Sequence, residues 1–328
     1  MPEPRGEIHG VATDGRFIVS GGSDGLIRLF AMDADEPSST ASIELLETWR
    51  HSRIDGEHHE VYTVGIHASD RTACTVASGG HDDAARAWRV ALDCGVSLLW
   101  GTDTTGRGHH NWVRKVLVTD DLLVSASLDN TVLVSGLETG RVHHTLSHPD
   151  WAIALAVDGA VCATGCDDGF VRMWDLGSGK LMRCFDTGHH VIRAIALRGD
   201  LLATGSGVTG YDRPIRLWSL RVDTAVVAAP PAPTRPPTSI FNAQPPATAV
   251  GQTATMLSDI GWNEGEHRDQ HVPPGSDHGR RGVYGLAITA RTGLVVAAPE
   301  RGPALLVFAP SLGAQPPPPV PPPPSHGA

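Results

Sequence analysis

Five stretches of this chain place an aromatic residue, or a substitute for one, six positions after an aspartate. They are IVSGGSDGLIRLF (18–30), TVASGGHDDAARAW (75–88), LVSASLDNTVLVS (123–135), CATGCDDGFVRMW (162–174) and LATGSGVTGYDRPIRLW (202–218). The pairs are Asp24 with Phe30, Asp82 with Trp88, Asp129 with Ser135, Asp168 with Trp174, and Asp212 with Trp218. In each, small or hydroxylic residues lead into a turn and an alternating strand follows. A weaker sixth copy, LVVAAPERGPALLVF (294–308), has Gly302 in the aspartate place. Recurrence in one register constrains the fold more than any single motif, because each unit must bury its apolar face against the next.

The copies are preceded by apolar alternating segments (VYTVGIHA, VRKVLVT, AIALAVD, IRAIALR, VYGLAIT), and several are followed by another, as in ETGRVHHTLS and SGKLMRCFDT. The units thus have about four short strands each and predict an all-β array. Histidines cluster where units begin, at His58/His59, His109/His110, His148 and His189/His190. Net charge is −10 and long Lys/Arg runs are lacking, which argues against a nucleic-acid or membrane-surface partner. Five scattered cysteines point to reduced thiols and an intracellular, cytoplasmic or nuclear, location. Neither a secretory h-region nor a run of about 18 apolar residues is present.

The pattern resembles the WD-repeat β-propeller family, including a literal Trp174-Asp175, over most of 6–229 and again over 282–309. In style it is nearest to F-box/WD-repeat proteins, although no F-box is recognisable. The resemblance implies six recognisable blades, with room for a seventh. It also implies a hydrogen-bonded chain of blade-opening His, strand Ser/Thr, turn Asp and Trp that ties each turn to its blade. By position these are His148 or a neighbour, Thr164, Asp168 and Trp174, with Asp24, Ser78, Asp82, Trp88, Asp129, Thr204, Asp212 and Trp218 as counterparts. Such a buried network has to be satisfied throughout.

Chemical readings of the same residues are weaker. GGSDG (21–25) matches a nucleophile elbow around Ser23, but LIRLF after it reads as a strand where a helix is required. The histidines of EHHEVYTVGIH (57–67) fit no closed zinc spacing. Cys162 and Cys166 point the same way from one strand, with no second pair beside them. No enzyme activity, metal or cofactor is expected.

In the family, the top face around the channel is the commonest landing place for peptides. The first variable position of each inner strand then supplies His9, Tyr62, Arg114, Ile153, Arg193 and Tyr284 as candidate contacts. Tyr and Arg are residues on which interface energy concentrates, and arginines can hold acidic or phosphorylated segments. The expected role is a non-enzymatic scaffold binding other proteins or peptides. A ubiquitin-ligase substrate receptor is the alternative within that class, and a propeller hydrolase or metal enzyme the alternative outside it.

Blades one to five should occupy 6–229 and the last blade 282–312. Between them, 230–281 is Pro-rich and then polar, the composition of a disordered insertion. Within it TATMLSDIGW (253–262) is either a displaced outer strand or a docking motif. The tail at 313–328 contains PPPPVPPPP, a polyproline II segment suited to a polyproline-binding domain. From Thr204 to Ala297 the repeat skips 93 residues, twice a normal period, so the expectation is that the insertion replaces a seventh blade or else that the chain is a fragment.

Overall fold

The computed structural model describes residues 6–32, 43–52, 59–68, 73–91, 93–102, 108–206 and 215–221, with the backbone of four further strands at 255–260, 283–288, 295–299 and 306–308. Alternating β-branched and small residues separated by tight turns build antiparallel meanders. The first sheet is β1 (Ile8–Thr13), β2 (Phe17–Gly22), β3 (Leu26–Met32) and β4 (Ile43–Arg50). The second is β5 (Val61–Ala68), β6 (Ala73–Gly80), β7 (Ala85–Ala91) and β8 (Gly95–Gly101), and the third is β9 (Val113–Val118), β10 (Leu122–Ser127), β11 (Thr131–Gly136) and β12 (Val142–Ser147). The fourth follows as β13 (Ala152–Asp158), β14 (Val161–Cys166), β15 (Phe170–Asp175) and β16 (Leu181–Asp186). The fifth is β17 (Ile192–Arg198), β18 (Leu201–Ser206), β19 (Ile215–Ser219) and β20 (Thr255–Ile260), and the sixth is β21 (Val283–Ile288), β22 (Val295–Pro299) and β23 (Leu306–Phe308).

These sheets are the blades of a β-propeller. Their inner strands β1, β5, β9, β13, β17 and β21 follow one another side by side. Blade five draws its outer strand from a distant part of the chain. β20 pairs with β19 from Ile215↔Ile260 to Ser219↔Thr255, so residues 255–260 within the Pro-rich and polar segment form the outer strand of blade five. The rest of 230–281, Asp212, the tail at 313–328 and the side chain of Tyr284 lie outside the described residues.

The core lies between blades rather than inside any one of them. Val19, Ile27 and Leu29 of blade one meet Val61, Val76 and Trp88 of blade two, and equivalent clusters join blades two to three, three to four and four to five. That geometry explains the small residues of each repeat. A Cβ on Gly79 would lie 2.5 Å from Val113 Cγ1, and one on Gly165 would lie 2.5 Å from Ile192 Cγ2, so the first residue of the next inner strand occupies the space of a side chain. The turns after β2, β6, β10 and β14 share one mechanism. The aspartate Oδ1 accepts the amide two residues on (Leu26, Ala84, Thr131, Phe170) at 2.9–3.3 Å. The residue between them turns left-handed at Gly25, Asp83, Asn130 and Gly169. Ser23 sits in such a turn, its Oγ accepting the Glu7 amide at 2.9 Å, and the strand β3 follows it.

Candidate functional site

The polar networks fix the frame of the site. In blade four His148 Nε2 lies 2.8 Å from Thr164 Oγ1, and Trp174 Nε1 donates to the same oxygen at 3.0 Å. Asp168 is held by the Arg172 guanidinium through contacts of 2.7 and 3.2 Å, not by the histidine. Burial and then the Arg172 charge push His148 down to about 4, so it is neutral at physiological pH. In blade five His189 and Trp218 converge on Thr204 Oγ1 at 3.1 and 3.0 Å.

Blade two uses His51, outside the His58/His59 pair that the sequence marked. His51 follows β4 directly, is fully buried, and lies 2.9 Å from both Ser78 Oγ and Asp82 Oδ1. Trp88 Nε1 donates to Ser78 Oγ at 2.8 Å, and Arg86 reaches Asp82 Oδ2 at 2.6 Å. Burial alone would raise the Asp82 carboxyl, but His51 and Arg86 hold it well below the usual carboxylate range. An arginine four residues after the aspartate recurs as Arg28 (2.6 Å to Asp24), Arg86 and Arg172, and Arg216 stands at the same spacing from Asp212. The spacing is plain in the aligned copies once the arginine is counted as part of the turn.

Blade three has Ser135 where the others have an aromatic. His109 Nδ1 lies 2.9 Å from Asp129 Oδ2, and its Nε2 lies 2.8 Å from Ser125 Oγ. The missing ring is replaced from the adjacent blade. Trp100 of β8 packs with Leu123 and Leu137 and donates its indole N–H to Leu137 O at 2.6 Å. A chemical role for the cysteine pair gains no support, since Cys162 and Cys166 are buried free thiols and burial pushes Cys162 up to about 12.

The inner strands present their first variable positions to one opening. His9, Tyr62, Arg114, Ile153 and Arg193 all line a cavity of about 370 Å³, together with Lys115 and small residues including Gly10, Thr63, Ala154 and Ala194. Ile153 forms buried wall and offers little surface. Arg114 lies over the Tyr62 ring at 4.6 Å, His9 lies 5.8 Å from that ring, and Trp112 lies 5.6 Å from Tyr62 and 4.5 Å from His81. Burial, then the Glu60 carboxylate, raises the Tyr62 phenol, which stays protonated.

The rim has a register of its own that sequence reading did not single out. Glu7, Glu60, Trp112 and Trp151 each offer a backbone carbonyl to the residue just before the turn aspartate (Ser23, His81, Leu128, Asp167) at 2.9–3.1 Å. They are equivalent positions, acidic in blades one and two and aromatic in blades three and four. Trp112 is 36% exposed and Trp151 44%. Their signal in the sequence is a tryptophan two residues before the variable inner-strand position.

The WD domain, G-beta repeat family matches residues 4–30 and 140–175. Small ribosomal subunit protein RACK1y of Oryza sativa subsp. japonica is 33% identical over 97 residues, 27% of this chain and 29% of that protein, so the match spans less than a third of the relative's length. THO complex subunit 6 of Homo sapiens is 24% identical over 275 residues, covering 79% of this chain and 72% of that protein. A chain in a crystal structure of the mitotic checkpoint complex has the same fold, with a TM-score of 0.60 at 15% identity over 90% of this chain and 72% of that one. The repeated turn aspartates, the indole-to-hydroxyl bonds of three blades and the four-stranded sheets agree with these likenesses: the chain carries WD repeats on a β-propeller, and the family model itself matches two separate stretches of it.

Proposed function

We propose that this WD-repeat chain is a non-enzymatic scaffold of an intracellular assembly, and that it receives a protein partner on the aromatic sector of the channel mouth. The observation that carries the proposal is exposed Trp112 5.6 Å from Tyr62, with Arg114 over the same ring, at a rim position that exposed Trp151 repeats in the next blade. Exposed indoles offer large rigid contact area at small entropic cost, and Trp, Tyr and Arg are the residues most enriched at interface hot spots. The relatives are named as subunits of larger assemblies, a ribosomal subunit and a THO complex, which agrees with a scaffolding role. A narrower second reading makes the partner an acidic or phosphorylated segment, such as the substrate of a ubiquitin ligase. The two arginines at the opening favour it.

The test is affinity capture from cell extract with the wild-type chain beside a Trp112→Ala/Trp151→Ala variant and an Arg114→Glu/Arg193→Glu variant, each shown by circular dichroism to be folded. Loss of two hot-spot tryptophans at about 2 kcal/mol each should weaken capture by about a thousandfold. A partner lost from both variants supports the mouth as its site, and one lost from the arginine variant alone supports the acidic reading. Undiminished capture by both variants would overturn the proposal.

A further inference from the structure

Blade one exposes an apolar face that blades two to five bury. In those blades the first residue of the inner strand and the residue three positions on turn toward the preceding blade. Val61, Val113, Ala152 and Ile192 are fully buried at the first place, and Val64, Val116, Leu155 and Ile195 are buried at the second. Their counterparts in blade one are Ile8 and Val11, which are 66% and 60% exposed. Farther out on the same face, Phe30 is only partly buried where Trp88, Trp174 and Trp218 are buried. Its cross-strand partner Leu45 is exposed, as is Ile43 beside it. Inner strand β5 packs beside β1, and β17 beside β21, but β21 and β1 do not pack side by side. The end of a repeat array shows a polar outer face when water is its neighbour, and an apolar one marks a contact surface.

The joints between the other blades define what fits such a face. A β-branched residue opening an inner strand sits against a glycine of the preceding blade: a Cβ on Gly21, Gly79 or Gly165 would lie 2.5 Å from Val61, Val113 or Ile192. Where blade three has Ala126 at the glycine place, blade four opens with the small Ala152. The register repeats the glycine rule between blades five and six, with Gly205 and Val283. Blade six carries Ala298 at that place, so the β-branched Ile8 does not match it. A second requirement is polar. His51, His109, His148 and His189 each come from the chain after the preceding blade's outer strand and reach Ser78, Ser125, Thr164 and Thr204. Ser20 is buried in the same register and has no such histidine among the described residues. After Phe308 the next histidine in the chain is His326. A second copy of the chain would offer the same Ala298 and lack the same histidine, so it fits no better than the chain's own sixth blade.

We propose that the open face of blade one docks a β-blade of another protein, one that sets a glycine against Ile8 and brings a histidine to Ser20. The joint continues the packing that already links blades one to five. Burial of Ile8, Val11, Phe30 and Leu45 supplies the affinity, while the glycine and the histidine select the partner. The face uses neither the rim tryptophans nor the channel arginines, so it stands or falls separately from the scaffold reading.

The experiment uses the whole chain carrying Leu45→Cys, whose thiol labelling is read by peptide mass spectrometry with exposed Cys94 as the reference inside the same molecule. The probe is a blade of known chemistry: a second copy of residues 152–191, which includes Gly165 and His189, joined directly ahead of Ile8. The thiol should be open in the chain without the probe at every concentration. Labelling should slow by at least about tenfold when the probe is joined, and recover when the glycine of the added copy is changed to alanine. In cell extract, a photo-crosslinking residue at position 43 of the otherwise unchanged chain should join a peptide of another protein with a glycine inside an alternating apolar strand. That adduct should vanish with Ile8→Lys, a change at an exposed side chain, and persist with Trp112→Ala/Trp151→Ala. Protection without the probe at every concentration would mean that the chain covers its own face, and protection only at high concentration that a second copy does; either overturns the proposal. So would a joined probe that leaves labelling unchanged, a glycine-to-alanine change without effect, or the absence of any adduct that depends on Ile8.

Discussion

Blades three and four solve the same two problems with different residues. Each must hold a tight turn and plug the gap to a neighbouring blade. Blade four holds its turn with the Arg172 guanidinium on Asp168 and plugs the gap with its own Trp174. Blade three holds its turn with His109 and Thr131 on Asp129, and its plug is Trp100 from the blade before it. The fold demands a cation or donor at the turn and a ring in the interface. Which strand delivers them is free, because the interface belongs to two blades at once.

The comparison would break most visibly at the rings. Trp174→Ala should cost roughly 3–5 kcal/mol, read from the midpoint of chemical denaturation, because the surrounding blades cannot collapse into the hole. Trp100→Ala should cost a similar amount if it stands in for the absent aromatic, and a loss below about 1 kcal/mol would show that it does not. The converse change sharpens the point. Ser135→Trp alone should destabilise by roughly 1–3 kcal/mol through overpacking, whereas adding Trp100→Ala to it should recover part of the loss. Strictly additive costs would mean the two positions share no space.

The next contrast is in acid. His148 has a folded value of about 4 against an ordinary 6.5. Above the ordinary value both states are neutral; as pH falls from there, the unfolded chain gains a proton that the folded chain refuses, so stability declines down to the folded value. The full loss is about 3 kcal/mol, and His148→Gln should flatten that slope. Asp82 and Asp129 have lowered values, so their contribution is present above the ordinary carboxylate pKa and fades as pH drops below it. Denaturation midpoints measured across both windows should therefore show two separate declines. The smallest effect is at the turns. Asp83 has a φ of 60° where blades one and four use glycine, and Asp83→Gly should be neutral or stabilising by up to about 1 kcal/mol, measured by thermal unfolding.

What could be read in the chain beforehand divides along physical lines. The turn aspartates, the strand alternation and the small residues were legible because each acts within a few residues of itself. The paired opening histidines misled at blade two, since His51 reaches Ser78 and Asp82 across 27 and 31 positions with His58/His59 between as a decoy. The turn arginines Arg28, Arg86 and Arg172 were visible and unread, because an alternating strand accommodates a charged residue without comment. Trp112 and Trp151 were equally visible, but only the carbonyl register of the rim shows that they are equivalent positions.

The sequence by itself determined that this chain repeats a four-stranded unit and where its turns and inner strands lie, since hydrophobic period and turn chemistry are local. Only the tertiary structure decided that five separate inner strands bring His9, Tyr62, Arg114, Ile153 and Arg193 to one cavity, and that Trp100 fills a neighbour's interface. Those outcomes depend on how blades pack side by side, and residues far apart along the chain carry no mark of becoming neighbours in space.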